Sequence, residues 1–141
     1  MTKLKHYLIM RLFAKQILQE ISVDKNPVTF IYDAYINGYT KAVIECCDLS
    51  KSEAANIRTE AAAIKKSAYE KIEEVRAAIK YQEALEYCKE RLTGTFASSK
   101  VLHSATTTEI ISLYETAWHS YDSCDFYDAY EELEHKYLRK R

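Results

Sequence analysis

Apolar residues recur every three or four positions along most of this chain, and that spacing is typical of one face of an α-helix. A first helix is predicted from about Leu4 to Ile21. Asn26-Pro27 is a typical helix start, with Asn as the cap and Pro at the first helical position, so a second helix should run to about Cys47. The two predicted apolar faces consist of Leu4, Tyr7, Leu8, Ala14, Ile17, Leu18 and Ile21, and of Val28, Ile31, Tyr32, Tyr35, Tyr39, Ala42, Val43 and Cys46.

A glycine, Gly38, lies inside the second predicted helix. Glycine in a helix interior costs about 1 kcal/mol relative to alanine. A neighbouring helix packed close against this point would explain the glycine, and a chance occurrence is the alternative.

A capping box at Ser50 and Glu53 opens the longest predicted element, since each side chain can bond the backbone amide of the other residue. No Gly or Pro follows until Gly94, which is placed as a C-terminal stop. The sequence therefore predicts one helix of about 40 residues and roughly 60 Å. A single domain of this length is about 30 Å across, so the helix should project, kink or pack along another long helix. Its narrow apolar stripe, flanked by Glu and Lys, suits an antiparallel hairpin or a coiled-coil dimer.

The C-terminal third of the chain is predicted to form a helical hairpin. Thr95 to Ala105 is interpreted as the main loop, and Thr106 with Glu109 forms a second capping box that opens the next helix. Ser120 to Asp125 is rich in residues that bond their own backbone, so a turn or kink is expected there. A final helix then leads to the basic end, Arg139-Lys140-Arg141.

Leu113 to Leu138 contains Ala117, Asp125-Phe126 and Ala129 at positions that loosely resemble one tetratricopeptide helix pair. Ser120 departs from that pattern, because an aromatic residue is usual there. About three such pairs are needed for a stable solenoid, so the resemblance implies a helix-turn-helix hairpin and no function.

The composition favours a single all-α domain. The chain has 141 residues with only 2 Gly and 1 Pro, so it can form few turns and should consist of few, long elements. We expect an all-α, four- to five-helix bundle over residues 1–141, with one long central helix and a C-terminal helical hairpin. No stretch approaches about 18 apolar residues, so no membrane span is predicted. Arg11 and Lys15 interrupt the N-terminal apolar run, which favours an amphipathic helix over a signal peptide.

Few residues suggest chemistry. Glu132 and His135 have the spacing of one half of a di-iron motif, but a di-iron bundle needs two such pairs, and His119 with Cys124 lacks the second pair that a zinc site usually shows. No nucleophile elbow or glycine-rich phosphate loop occurs, and His103 in the predicted loop has no catalytic partner pattern. We therefore expect no enzyme, metal or cofactor. Without framework spacing, the cysteines predict reduced thiols and a cytoplasmic location; they are Cys46, Cys47, Cys88 and Cys124.

Charge is unevenly distributed, although the net charge is only −1. Residues 101–135 contain no Lys or Arg, while acidic residues there are interleaved with aromatic ones. One interpretation is a solvated helix face whose aromatic side chains point into the core. The other is a docking surface in which aromatic residues anchor a basic partner and carboxylates steer its encounter. The residues predicted to bind the partner are Glu115, Trp118, Tyr121, Asp122, Asp125, Phe126, Asp128, Tyr130 and Glu131.

These observations favour a non-enzymatic protein-binding role. The protein is predicted to be an adaptor, assembly factor or inhibitor, with the C-terminal hairpin docked on a larger basic partner. One specific version is an inhibitor that occupies a groove that normally holds nucleic acid. A homodimer is expected because of the long helix, and no membrane association is expected. The alternative is a nucleic-acid-associated regulator that uses the basic terminal segments. Along the long helix, however, Lys and Arg alternate with Glu, so no continuous positive stripe forms.

Overall fold

Helices account for 87% of the residues that the computed structural model describes, which are 3–119 and 124–138, and no strand occurs among them. The predicted all-α class is confirmed. The predicted count of four to five helices is too low, because the described residues form six. They are α1 (Lys3–Val23), α2 (Thr29–Cys46), α3 (Lys51–Arg91), α4 (Ser98–Ser104), α5 (Thr107–His119) and α6 (Cys124–Leu138).

The long helix α3 is continuous over 41 residues, as the sequence predicts. Its capping box is formed: the Ser50 amide donates to Glu53 Oε1 at 3.3 Å, and the Glu53 amide donates to Ser50 Oγ at 3.2 Å. The helix ends three residues before Gly94, whose φ of 86° lies in the left-handed region that favours glycine. Local turn chemistry therefore explains both ends of this helix.

Two compact units, Met1–Arg76 and Ala77–Arg141, share α3. In the N-terminal unit, α1, α2 and the first part of α3 enclose a core that includes Met10, Ile36 and Ile72. In the C-terminal unit, the end of α3 packs with α4, α5 and α6. The buried side chains of that second core are Ala84, Cys88, Leu92, Val101, Leu102, Ile110, Leu113, Phe126 and Tyr130.

The buried faces of α1 and α2 differ from the predicted ones. Ile17, Ile21, Tyr32 and Val43 are buried as expected, but Leu8 remains 51% exposed. Apolar residues occur on more than one side of each helix, so spacing alone does not select the face that packs. The further buried residues are His6, Met10 and Phe13 on α1 and Ile36 and Thr40 on α2, while Ile31, Tyr35 and Cys46 are exposed.

The start of α2 also differs from the prediction. Val28 is the N-cap, in an extended conformation, and the helix begins at Thr29 rather than at Pro27. Asp24 instead organises the turn, since its carboxylate accepts the Asn26 amide at 2.9 Å and the Tyr32 hydroxyl at 2.7 Å. An Asx turn thus replaces the predicted Asn cap.

Gly38 is not a point of close helix packing. A Cβ built there would meet no atom of another described helix within 4 Å. The explanation by a closely packed neighbouring helix is therefore wrong for this structure.

The predicted loop from Thr95 to Ala105 contains helix α4. Ala97 precedes it with a left-handed φ of 58°, and Val101 and Leu102 are buried in the core of the C-terminal unit. The N-cap residue of α4, Ala97, makes no side-chain cap bond, and tertiary burial of these two apolar side chains accounts for the helix. His103 consequently lies exposed on a helix rather than in a loop. Among the described residues, no helix combines the length and apolar character needed to cross a membrane.

Candidate functional site

The second predicted capping box sets the start of α5. The Thr106 amide donates to Glu109 Oε1 at 2.9 Å, and the Glu109 amide donates to Thr106 Oγ1 at 3.2 Å. Two backbone amides that the helix leaves unsatisfied are thereby bonded. This prediction is confirmed.

Glu109 also joins α5 to α6. Lys136 Nζ donates to Glu109 Oε2 at 2.9 Å, and the Tyr137 hydroxyl donates to Glu109 Oε1. The bond from the Thr106 amide, followed by those from Tyr137 and Lys136, lowers the pKa of Glu109 to about 2. The first turn of α5 and the last turn of α6 are therefore held together, and the two helices run antiparallel.

An open groove lies between α5 and α6. Thr116 and His119 of α5 face α6 across it, and the α6 residues lie at positions i, i+3, i+4 and i+7 of one helix face. The groove has a volume of about 420 Å³, and no Lys or Arg of the described residues lines it. We call it the acidic groove, and its lining residues are Thr116, His119, Asp125, Asp128, Ala129 and Glu132.

The predicted acidic residues occupy different surroundings. Asp125 and Asp128 line the acidic groove. Glu131 is exposed and lies 3.8 Å from His135, while Glu115 accepts a hydrogen bond from Lys80 of α3 at 2.7 Å. That bond and the charge of Lys80 lower the pKa of Glu115. Tyr121 and Asp122, which the sequence also singles out, lie outside the described residues.

The predicted aromatic residues divide into a buried and an exposed set. Phe126 is fully buried and Tyr130 is 4% exposed, so both pack in the core of the C-terminal unit. Trp118 is 65% exposed, although it belongs to the same hairpin. Only Trp118 of these three therefore offers a large apolar surface to solvent.

An aromatic patch extends from Trp118 through Tyr87 to Arg91 and Tyr127. The ring centroid of Trp118 lies 6.0 Å from that of Tyr114 and 6.3 Å from that of Tyr87, which belongs to α3. Arg91 of α3 lies with its Cζ 5.8 Å from the ring centroid of Tyr127, a side chain that is 45% exposed. We call Tyr87, Tyr114, Trp118, Tyr127 and Arg91 together the aromatic patch.

Sequence reasoning missed several of these residues. Glu132 follows Asp125 by seven positions, so helical periodicity contained the signal that both lie on one face. Tyr87 and Arg91 come from α3, far away in sequence, and no local pattern connects them with Trp118. Their contribution depends on tertiary packing alone.

The described residues contain no group of three or more His, Cys, Asp or Glu side chains that could hold a metal ion. Cys46 is exposed, whereas Cys88 is buried and burial raises the pKa of its thiol to about 11. Cationic side chains can bind to carboxylates through their charge and to the faces of exposed aromatic rings through cation–π interactions.

Comparison of the chain with protein-family models, with curated proteins and with solved structures found no match.

Proposed function

We propose that this chain is a protein-binding protein that docks a partner with a basic surface, as an adaptor, an assembly factor or an inhibitor. The acidic groove is the primary contact and Trp118 is the aromatic anchor. The observation that supports this best is the convergence of Asp125, Asp128 and Glu132 on one open groove whose described lining contains no Lys or Arg.

Repulsion within α6 supports the same proposal. Asp128 and Glu132 are four residues apart on α6, so these two like charges are neighbours on the helix surface. Such pairs destabilise a helix by about 0.2–0.5 kcal/mol each. A partner that places Lys or Arg in the groove relieves this repulsion, and the relief increases the affinity of the partner for the groove.

Trp118 is suited to anchor the partner. It precedes His119, which lines the acidic groove, so the two side chains leave α5 about 100° apart around the helix axis. Tryptophan is enriched among the residues that dominate binding energy at interfaces. A basic segment seated in the groove would therefore have an exposed aromatic ring beside it, with 65% of its surface available.

The chemistry of the partner follows from the groove. It should present two or three cationic side chains close together, as surfaces that bind nucleic-acid phosphates do. An inhibitor that covers such a surface on a nucleic-acid-binding protein is one form of the proposal. The homodimer expected from the long helix is a separate prediction, and light scattering in solution tests it.

Comparative affinity capture from a native lysate of the source cells tests the proposed function. The groove variant changes Asp125, Asp128 and Glu132 to Lys. The control variant changes Glu70, Glu73 and Glu83 to Lys; these are exposed on α3, outside the acidic groove, and their replacement gives the same change in net charge. We expect wild type and the control variant to retain a common basic protein that the groove variant loses.

One result of this capture experiment would contradict docking through the acidic groove. If the groove variant is folded, by its circular dichroism and melting temperature, and still retains the same proteins as wild type, the acidic groove is not the docking surface. Recovery of nucleic acid rather than a basic protein by all three chains would favour the nucleic-acid-associated alternative.

A further inference from the structure

A second groove lies in the N-terminal unit, between α2 and α3. Its volume is about 430 Å³, within the usual range of roughly 300–1,000 Å³ for small-molecule sites. Three cationic side chains line it, against one carboxylate. We call it the basic groove, and its lining residues are Asn37, Thr40, Lys41, Ile44, Glu45, Arg58, Ala61, Ala62 and Lys65.

Two of these cations lack the acidic neighbours that are common elsewhere on α3. The residues three and four positions from Arg58 are all alanine, and those around Lys65 are three alanines and Tyr69. Neither cation forms an ion pair or hydrogen bond in the part of the chain that the structure describes. By contrast, Lys71 on the same helix lies 3.3 Å from Glu74. The charged hydrogen-bond donors of Arg58 and Lys65 are therefore available to bind an anion.

Lys41 contributes from the opposite wall of the groove. Its Nζ lies 4.0 Å from Glu45, and both side chains are more than half exposed, at 75% and 64%. An exposed pair at this distance is worth about 1 kcal/mol or less. Lys41 can therefore turn to an anion in the groove at little cost.

Small apolar side chains form the floor of the basic groove. Ala61 and Ala62 lie between Arg58 and Lys65, which are seven residues and about 10.5 Å apart along α3. The short alanine side chains leave room between the two long cationic ones, and Ile44 adds an apolar surface from α2. The long side chains of Arg58 and Lys65 can therefore converge on one anion above the alanines, beside the apolar surface of Ile44.

We propose that the basic groove binds a small organic phosphate, with the phosphate held over Ala61 and Ala62 by Arg58, Lys65 and Lys41 and the organic part lying against Ile44. A phosphate monoester has close to two negative charges near neutral pH and three acceptor oxygens, which suits a guanidinium fork and ammonium groups on two walls. The site lies on helices other than those of the acidic groove, so this inference is independent of the proposed function.

A nucleic-acid backbone suits the basic groove less well. Binding along a strand needs a continuous positive stripe. On α3 the basic residues alternate with Glu60, Glu70, Glu73 and Glu74, and Glu45 stands within the groove itself. The concave site fits one small molecule better than a polymer.

Phenyl phosphate is the probe for this site, because it joins one phosphate to one apolar ring. Calorimetry and amide chemical-shift mapping on the full chain should show it binding at least about tenfold more tightly than inorganic phosphate or phenol, a difference of about 1.4 kcal/mol. Arg58→Gln and Lys65→Gln should each weaken binding about tenfold, since each removes a charged hydrogen-bond donor. Glu45→Gln should strengthen it, because the one carboxylate among the described lining residues is then replaced by a neutral amide.

Lys66→Gln is the matched control, because Lys66 is exposed beside Lys65 but does not line the groove. It should leave the affinity unchanged. Equal weakening by Lys66→Gln, chemical-shift changes away from the groove, or equal affinity for inorganic phosphate would each overturn the proposal. Displacement of phenyl phosphate by a glutamate-rich peptide at a lower concentration would assign the groove to an acidic protein segment instead. The shift map needs only wild type, so the site is tested even if a variant fails to fold.

Discussion

Lys136 Nζ lies 2.9 Å from Glu109 Oε2, so the last turn of α6 is joined to the first turn of α5. The same carboxylate completes the capping box with Thr106. Glu109→Ala should therefore lower the free energy of unfolding by about 1–2 kcal/mol, the usual cost of losing a cap together with a charged hydrogen bond. Urea unfolding measures this. Glu83→Ala, at an exposed position of α3, is the control and should leave the midpoint nearly unchanged.

Glu109 should also contribute to acid sensitivity. Its pKa is lowered from 4.5 to about 2 in the folded chain, so the stabilisation is complete above the unfolded value and is lost as the pH falls from about 4.5 to about 2. The stability difference between wild type and Glu109→Gln should therefore shrink over this interval. Urea midpoints at pH 7, 4, 3 and 2 provide the measurement. A difference that stays constant with pH would contradict the hydrogen-bonded carboxylate.

Truncation of Phe126 should lower the stability far more than truncation of Trp118. Phe126 is fully buried, so Phe126→Ala should cost about 3–5 kcal/mol of stability. Trp118 is 65% exposed, so Trp118→Ala should cost about 1 kcal/mol or less. Thermal or urea unfolding of the two variants distinguishes a core residue from a surface anchor. A large loss from Trp118→Ala would place its ring in the core and remove the anchor from the proposal.

The sequence predicted the helices better than the faces they bury. Capping chemistry is local, so the boxes at Ser50 and Thr106 were predictable from four residues each. The buried face of α1 was not, because apolar residues surround much of that helix and only the packing of α2 and α3 selects His6 and Met10 over Leu8. Helix α4 has seven residues, too few to show a clear period, and its burial decides its conformation.

The candidate site shows the same division. The acidic character of the hairpin follows from composition alone. That Phe126 is buried while Trp118 is exposed could not be inferred, since both are large aromatic residues at helical spacing. Phe126 lies beside Tyr87 and Arg91, which come from α3, so its burial depends on tertiary packing that no local pattern predicts.

The two glycines should respond to alanine in opposite directions. Gly38 is in the interior of α2 with no atom of another described helix near a new Cβ, so Gly38→Ala should stabilise the chain by about 0.5–1 kcal/mol. Gly94 has a φ of 86°, where alanine costs about 1–2 kcal/mol, so Gly94→Ala should destabilise it. Melting temperatures of the two variants report the sign directly. A loss of stability from Gly38→Ala would mean that another element packs at that point in solution.

Association kinetics with the captured basic partner test the central claim most directly. Trp118 is the only tryptophan, so its fluorescence reports contact beside the acidic groove. The association rate of wild type should rise as the ionic strength is lowered, because the Debye length grows from about 8 Å at 0.15 M to about 30 Å at 0.01 M. The groove variant should associate at least about tenfold more slowly and with little salt dependence, while the control variant with Glu70, Glu73 and Glu83 changed to Lys should remain close to wild type. Equal slowing of both variants, or an unchanged rate in the groove variant, would contradict docking through the acidic groove.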